Sequence, residues 1–221
     1  MTTRLIVISP HLDDGVLGSS ALLAAHPEAV VVTVFAGRPP RSMPLPPWDE
    51  AAGFHAGDDV VGARRAEDRA ALSCFGATPV WLPFLDAQYG ESPADDAVTA
   101  TLDAALSAAA TTTVCVPLGL FHTDHALAHR AALRILPRRS EWRWLAYEEP
   151  MYRRVPGALA ERLAALRAAG ITAEPLAGAP APSQKRRALE CYASQLRALG
   201  TPGRPGFADA LAPERYWALS V

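Results

Sequence analysis

Apolar residues run in blocks along the chain. Residues 5–8 and 30–35 are continuous apolar stretches rich in β-branched side chains, the pattern of strands buried on both faces of a parallel sheet. Residues 16–25 between them are rich in Ala and Leu and predict a helix. The order then repeats. It gives a helix over 60–75, a strand over 80–84, a helix over 95–109, a strand over 112–117, a helix over 126–136, a strand over 142–147 and a last helix over 183–199. Repeated β-α-β order predicts an α/β architecture, a mostly parallel sheet with helices on both faces. No internal repeat or composition break interrupts it, so 1–221 reads as a single domain. Proline-rich stretches at 37–47, 175–182 and 201–213 read as loops, which either rim a site or simply connect elements.

Composition narrows the function classes. The 221 residues are 50 % hydrophobic and 20 % charged, with a formal net charge of -2, a globular balance without a basic patch for nucleic acid. Arg64, Arg65 and Arg69, and Lys185 to Arg187, cluster in helix-like stretches and read as solvated faces. Three widely spaced cysteines form neither a disulfide framework nor a C-x-x-C pair. No apolar run is long enough to span a membrane, and the N-terminus lacks a signal-peptide pattern, so a cytoplasmic location is expected.

Ligands in open parallel sheets bind at the C-terminal ends of the strands. Two such ends carry metal-ligand residue types. Ser9-Pro10-His11-Leu12-Asp13-Asp14 follows the first strand, and His122-Thr123-Asp124-His125 follows the strand ending at Pro117. Imidazole and carboxylate are common zinc ligands, and a catalytic zinc keeps a position for water. An Asp at a helix start is also a common cap, so either segment alone is a weak signal. Together, at two strand ends, they point to a metal site.

These segments resemble the signatures of the PIG-L/LmbE-like N-deacetylases, His-Pro-Asp-Asp after the first strand and His-x-Asp-His further on. Arg64-Arg65-Ala66-Glu67, with Ala71 and Phe75-Gly76, resembles that family's middle helix. Lys185 with Ser194-Gln195 resembles a fainter K…SQ pattern. The resemblance implies an LmbE-like, Rossmann-like fold and a zinc-dependent hydrolase that removes an N-acetyl group from an N-acetylglucosamine-type conjugate. It implies Zn2+ held by His11, Asp14 and His125. Asp13 is the implied general base, His122 the oxyanion stabiliser in cationic form, and Asp124 the carboxylate that orients a histidine. The implied partner is a small-molecule amino-sugar conjugate; the oligomeric state is left open.

Leu12 stands where the family has proline, and Gly15 where it has glutamate, which puts local packing or support of the site in question. Arg64 either grips a substrate hydroxyl or phosphate or pairs with Glu67 or Asp68. His129, four residues after His125, reads as a buried or supporting histidine rather than a ligand. Tyr147, Glu148 and Glu149 follow a strand end and are candidates to line the site. Trp48 and Phe54 either stack on a sugar or anchor a loop, and His26 and His55 read as surface residues. Three rival readings remain: a family member that holds metal without turning over, supported only by Gly15; a metal-assisted amidase or esterase on a non-sugar compound; and a non-catalytic Rossmann-like binding module. The last is weakened because no G-x-G-x-x-G follows the first strand.

Overall fold

The structure, a computed structural model, describes residues 4–108, 113–200 and 207–221. Its strands are β1 (Leu5–Ser9), β2 (Val30–Thr33), β3 (Thr78–Trp81), β4 (Thr113–Pro117), β5 (Arg143–Tyr147), β6 (Thr172–Pro175) and β7 (Tyr216–Ser220). Its α-helices are α1 (Asp14–Ala25), α2 (Pro47–Ala51), α3 (Val60–Ser73), α4 (Asp95–Ser107), α5 (Thr123–Ile135), α6 (Ala158–Ala168), α7 (Ser183–Glu190) and α8 (Ala193–Leu199). Residues 109 and 112, at the edges of a predicted helix and strand, and 201–206 of the last proline-rich loop lie outside the described residues.

The seven strands form one mixed sheet in the order β3-β2-β1-β4-β5-β7-β6. β3 through β5 are parallel, whereas β7 pairs antiparallel with both β5 and β6. Alternate side chains of the central strands enter opposite cores, as the period of two requires. Ile6, Ile8, Val114, Val116 and Trp144 pack with α4 and α5. Leu5, Val7, Cys115, Leu145 and Tyr147 pack with α1, α3 and α7. Each fully buried Val, Leu or Ile contributes about 1.5–3 kcal/mol. Burial on both faces explains why these strands read as unbroken apolar runs.

Three expectations shift. β3 occupies 78–81 rather than 80–84. It is the sheet edge, where Pro79 lacks an N–H without breaking a ladder, and its register pairs Val30 with Thr78. The predicted last helix is two helices, broken at Tyr192, whose hydroxyl turns inward to Asp68 at 2.9 Å. Glu67 caps the second helix, accepting from Ser194 N at 2.9 Å and from Ser194 Oγ at 2.6 Å. Lastly α2, α6, β6 and β7 were not anticipated; β6 and α6 are short or largely exposed, with Leu166 the one buried residue of α6.

From β1 the chain crosses to β2 on one side, whereas β4 lies on the other, so β1 and β4 flank the sheet's topological switch point. A crevice opens there beyond the strand ends, and both motifs emerge into it.

Candidate active site

The turn after β1 places His11, Asp13 and Asp14. Asp13 occupies the N-cap position of α1, and its carbonyl accepts from Val16 N and Leu17 N at 2.9 Å. Its side chain makes no cap hydrogen bond, so the carboxylate is not spent on the helix and lines the crevice. Ser9 Oγ braces the turn, donating to His11 O at 2.5 Å and accepting from Gly15 N at 2.8 Å. A Cβ on Gly15 meets Val31 Cγ1 at 3.0 Å. A side chain there is tight against Val31, and Ser9 Oγ braces the turn through Gly15 N.

The loop after β4 places His122, Asp124 and His125. Gly119 (φ 79°) runs so close to α5 that a Cβ on it meets His129 Cβ at 2.7 Å. Phe121 holds a left-handed φ of 59°, a conformation that costs a non-glycine residue energy. His122 caps α5, its Nδ1 accepting from Asp124 N at 3.2 Å.

The three implied metal ligands converge. Asp14 Oδ2 lies 3.2 Å from His11 Nδ1 and 3.1 Å from His125 Nε2. The far nitrogen of each ring faces a carboxylate: His11 Nε2 is 3.1 Å from Asp124 Oδ2, and His125 Nδ1 is 3.2 Å from Glu149 Oε1. Buried His125 Nε2 has no hydrogen-bond partner despite the nearby carboxylate oxygen, because it is not aimed along a hydrogen bond. An orphaned imidazole nitrogen beside a carboxylate, with a second carboxylate behind each ring, is the donor arrangement of a metal site. The residues present therefore fit a divalent cation. Among the described residues, the groups whose ligand atoms all lie within 4.8 Å of one another are His11, His122 and His125, and His11, Asp86 and Asp124, whereas Asp14 meets His11 and His125 pairwise; His122 Nδ1 is engaged as the cap.

Electrostatics follow from this packing. Burial alone lowers the histidines, yet Asp86, Asp124 and Asp14 raise His11 well above its ordinary range, and Asp14 with Glu149 raises His125 to about 9. Burial and the neighbouring Asp14 push the Asp13 carboxyl up. Asp14 is held well below the carboxylate range, against its burial, by His125 and His11. Burial, then His11 and His125, lower His122. An imidazole that accepts through Nδ1 is neutral and carries its proton on Nε2. The contact from Asp124 N to Nδ1 fits a His122 that carries a proton on Nε2 and can donate from it.

Arg64 is 5 % exposed and pairs with neither Glu67 nor Asp68. Its Nη2 lies 2.8 Å from buried Asp49 Oδ1. The contact is off hydrogen-bond geometry, and Nε and Nη2 have no hydrogen-bond partner. Asp49 also accepts from Tyr89 OH at 2.7 Å. Phe54 lies under the guanidinium, 5.6 Å from ring centre to Cζ. Trp48 lines the crevice and donates to Gln195 Oε1 at 3.0 Å. His129 is fully buried on Pro117 O at 2.9 Å, and Tyr147 donates to Ile8 O at 3.1 Å, so neither faces the crevice. Glu148 accepts from Trp217 Nε1 at 3.0 Å. Exposed His55 fits a surface reading, and half-buried His26 bonds Leu22 O at 2.8 Å.

The crevice encloses about 850 Å³. His11, Asp13, Asp14 and His122 line its polar side. Phe121 and Tyr152 form an aromatic wall, with ring centroids 5.6 Å apart, and Tyr152 stands edge-on to His125 at 5.0 Å. The sequence reading missed Asp49, and also Asp86 and Tyr152, although these two follow soon after expected strands. Glu149 was named only as a lining candidate, but it also accepts from Gly119 N and Leu120 N at 2.7 and 3.0 Å, tying the β4 loop to His125.

The family described as PIG-L, GlcNAc-PI de-N-acetylase, matches residues 6–136, a span containing both motifs. No curated protein matches. A triple mutant of a deacetylase (Orf2*T) of the teicoplanin biosynthetic pathway is 26 % identical, covering 98 % of this chain and 98 % of that one, with a TM-score of 0.79. The A40926 pseudoaglycone deacetylase Dbv21 is 25 % identical over 98 % of this chain and 97 % of that one, at 0.77. The 4-carboxy-2-hydroxymuconate hydratase GalB of Pseudomonas putida KT2440, 18 % identical over 100 % of this chain and 97 % of that one at 0.62, shares the fold alone. The chain belongs to the PIG-L (GlcNAc-PI de-N-acetylase) family and is a hydrolytic N-deacetylase.

Proposed function

We propose that this protein is a zinc-dependent deacetylase acting on an N-acetylated amino sugar joined to a larger group. The observation that carries the reading is the meeting of His11 Nδ1 and His125 Nε2 on Asp14 Oδ2, each ring backed by its own carboxylate. His11, Asp14 and His125 hold the ion, with Asp124 and Glu149 fixing the two tautomers. When bound, zinc supplies Lewis-acid polarisation of the amide carbonyl and a water whose pKa is lowered to about 7. Asp13 takes the proton of the attacking water and returns it to the departing nitrogen, so acetate and a free amine are released. His122 donates from Nε2 to the oxyanion that forms at the carbonyl. Arg64 is buried against Asp49 and is not among the residues that line the crevice, so no contact with the sugar is assigned to it.

The teicoplanin and A40926 deacetylases support a sugar conjugate as substrate. The crevice lining bears on what the sugar carries. Among the described residues it contains Asp13, Asp14, Asp86 and Asp209, and its one arginine, Arg154, is paired with Asp209 at 2.5 Å. Away from the proposed metal residues the lining offers Asp86, an arginine already paired with Asp209, and the apolar surface of Phe121 and Tyr152, which suits an aglycone with apolar surface.

The test is metal analysis of the purified protein together with acetate release from N-acetylglucosaminides and plain N-acyl amines, in the wild type and in Asp13→Asn. The expected result is about one zinc per chain in both proteins. Acetate is released from the glucosaminides by the wild type and about 10²–10⁴-fold more slowly by the variant. Absence of zinc even after add-back, or an undiminished variant, defeats the reading. Faster turnover of plain N-acyl amines moves the substrate outside the sugars.

A further inference from the structure

α1 is not one straight helix. Ser19 sits at φ −136° and ψ 20°, a break one turn past Asp14. In an unbroken helix Ser20 N and Ala21 N donate to Val16 O and Leu17 O. Here those four groups meet side chains. Glu214 accepts from Ser20 N through Oε1 at 3.0 Å and from Ala21 N through Oε2 at 2.8 Å. Lys185 Nζ donates to Leu17 O at 2.6 Å, and Ser20 Oγ to Val16 O at 2.6 Å. Lys185 and Glu214 also pair with each other at 2.6 Å, both essentially without solvent exposure. Tyr216 OH holds Glu214 Oε2 at 2.5 Å, and the backbone of Glu214 is bridged to Ala179. The pair comes from α7 and from the segment before β7, far along the chain from α1.

A buried ion pair is weak evidence of stabilisation, since the desolvation of two charges offsets their attraction. Its placement says more. It is wedged into the break, and the short first section, Asp14 to Gly18, carries Asp14 and has Asp13 at its N-cap position. The direction of that section decides where both carboxylates point.

We propose that Lys185 and Glu214 are positioning residues for the metal site: seated at the break in α1, they fix its first turn and so the aim of Asp13 and Asp14. The inference rests on the reading of Asp14 as a zinc ligand only for its metal arm; the break itself is open to measurement in metal-free protein.

The test is a double variant, Lys185→Met with Glu214→Leu, which fills the space with apolar side chains of similar size. Replacements of this kind often fold as well as the ion pair they remove. Because Ser20 N, Ala21 N and Leu17 O also lose these partners, cooperative unfolding is checked first. Zinc affinity, measured by chelator competition, falls about tenfold or more, the scale on which groups behind a metal ligand act. Amide hydrogen exchange across residues 14–18 of the metal-free variant quickens relative to metal-free wild type. A folded double variant with wild-type zinc affinity and unchanged exchange in that turn overturns the proposal. If the double variant does not fold, Glu214→Gln decides. It keeps the size but offers one acceptor oxygen in place of two, and a folded Glu214→Gln with unaltered exchange in the turn overturns the proposal equally. Wild type that binds no zinc defeats the proposed function instead, and the exchange arm still reads the wedge.

Discussion

The chain up to Tyr147 and the chain after it contribute in different ways. The first part builds the parallel strands and carries His11, Asp13, Asp14, His122 and His125, the groups read as ligands, base and oxyanion donor. The second part brings none of these, yet Glu149 stands behind His125, Tyr152 walls the crevice, and Lys185 with Glu214 grips α1. Reactive groups sit on short turns at strand ends, while their aim is set by buried partners from distant chain.

The sharpest way to break this division is Asp14→Ala. Asp14 faces both ring nitrogens, so the expected outcome is loss of bound zinc and a fall of deacetylation to background, read by elemental analysis and acetate release. Zinc retained at about one per chain transfers the ligand role to the His11, His122 and His125 set and ends the assignment of Asp14.

Glu149→Gln probes the later part of the chain. The variant keeps the size and one acceptor oxygen but loses the charge that complements the His125 ring. A drop of about 10–100-fold in zinc affinity is expected, with a smaller change in kcat once zinc is saturating. Chelator competition reads it, and wild-type affinity shows that the aim of His125 is set within the β4 loop alone.

This division also explains what the sequence could show. Parallel strands buried on both faces announce themselves as apolar runs, and residues 5–8 and 142–147 match β1 and β5 closely. Histidine and aspartate at two strand ends are rare enough to mark a site. The antiparallel edge, by contrast, consists of short strands whose pairing is set by partners far away, β7 lying between β5 and β6. Glu67, part of a family-like motif, gave no hint that it caps α8. Arg64 was weighed against acidic neighbours on its own helix, whereas Asp49 meets it from α2. Such partners are chosen by tertiary packing, which no spacing rule within a helix encodes.

Gly15→Glu places the family's usual residue in a turn that is tight around glycine. Its Cβ meets Val31 Cγ1 at 3.0 Å and Ser9 Oγ at 3.4 Å. A loss of about 1–3 kcal/mol, the ordinary cost of overpacking, is expected in urea unfolding. Stability equal to wild type indicates that the turn gives way freely and that Ser9 is not a necessary brace.

The smallest effect is expected from a histidine that carries no chemistry. His129 is buried, donates through Nδ1 to Pro117 O, and leaves Nε2 without a partner. Burial first, then Arg162, lowers its pKa to about 3. The sign follows from which state takes the proton. Above the unfolded value of about 6.5 neither state is protonated. Below it the unfolded chain binds a proton that the fold refuses, so stability falls as pH drops, until the folded pKa is reached near 3. At pH 5.5 the loss from this one group is about 1.4 kcal/mol. His129→Asn keeps a donor near the position of Nδ1 and cannot titrate. Urea unfolding of metal-free wild type and variant at pH 7 and 5.5 isolates the group. The variant should lose about 1.2 kcal/mol less than wild type between the two pH values, whatever its stability at pH 7. Equal losses in the two proteins mean that His129 accepts a proton in the folded state, and with it a charge beside Arg162.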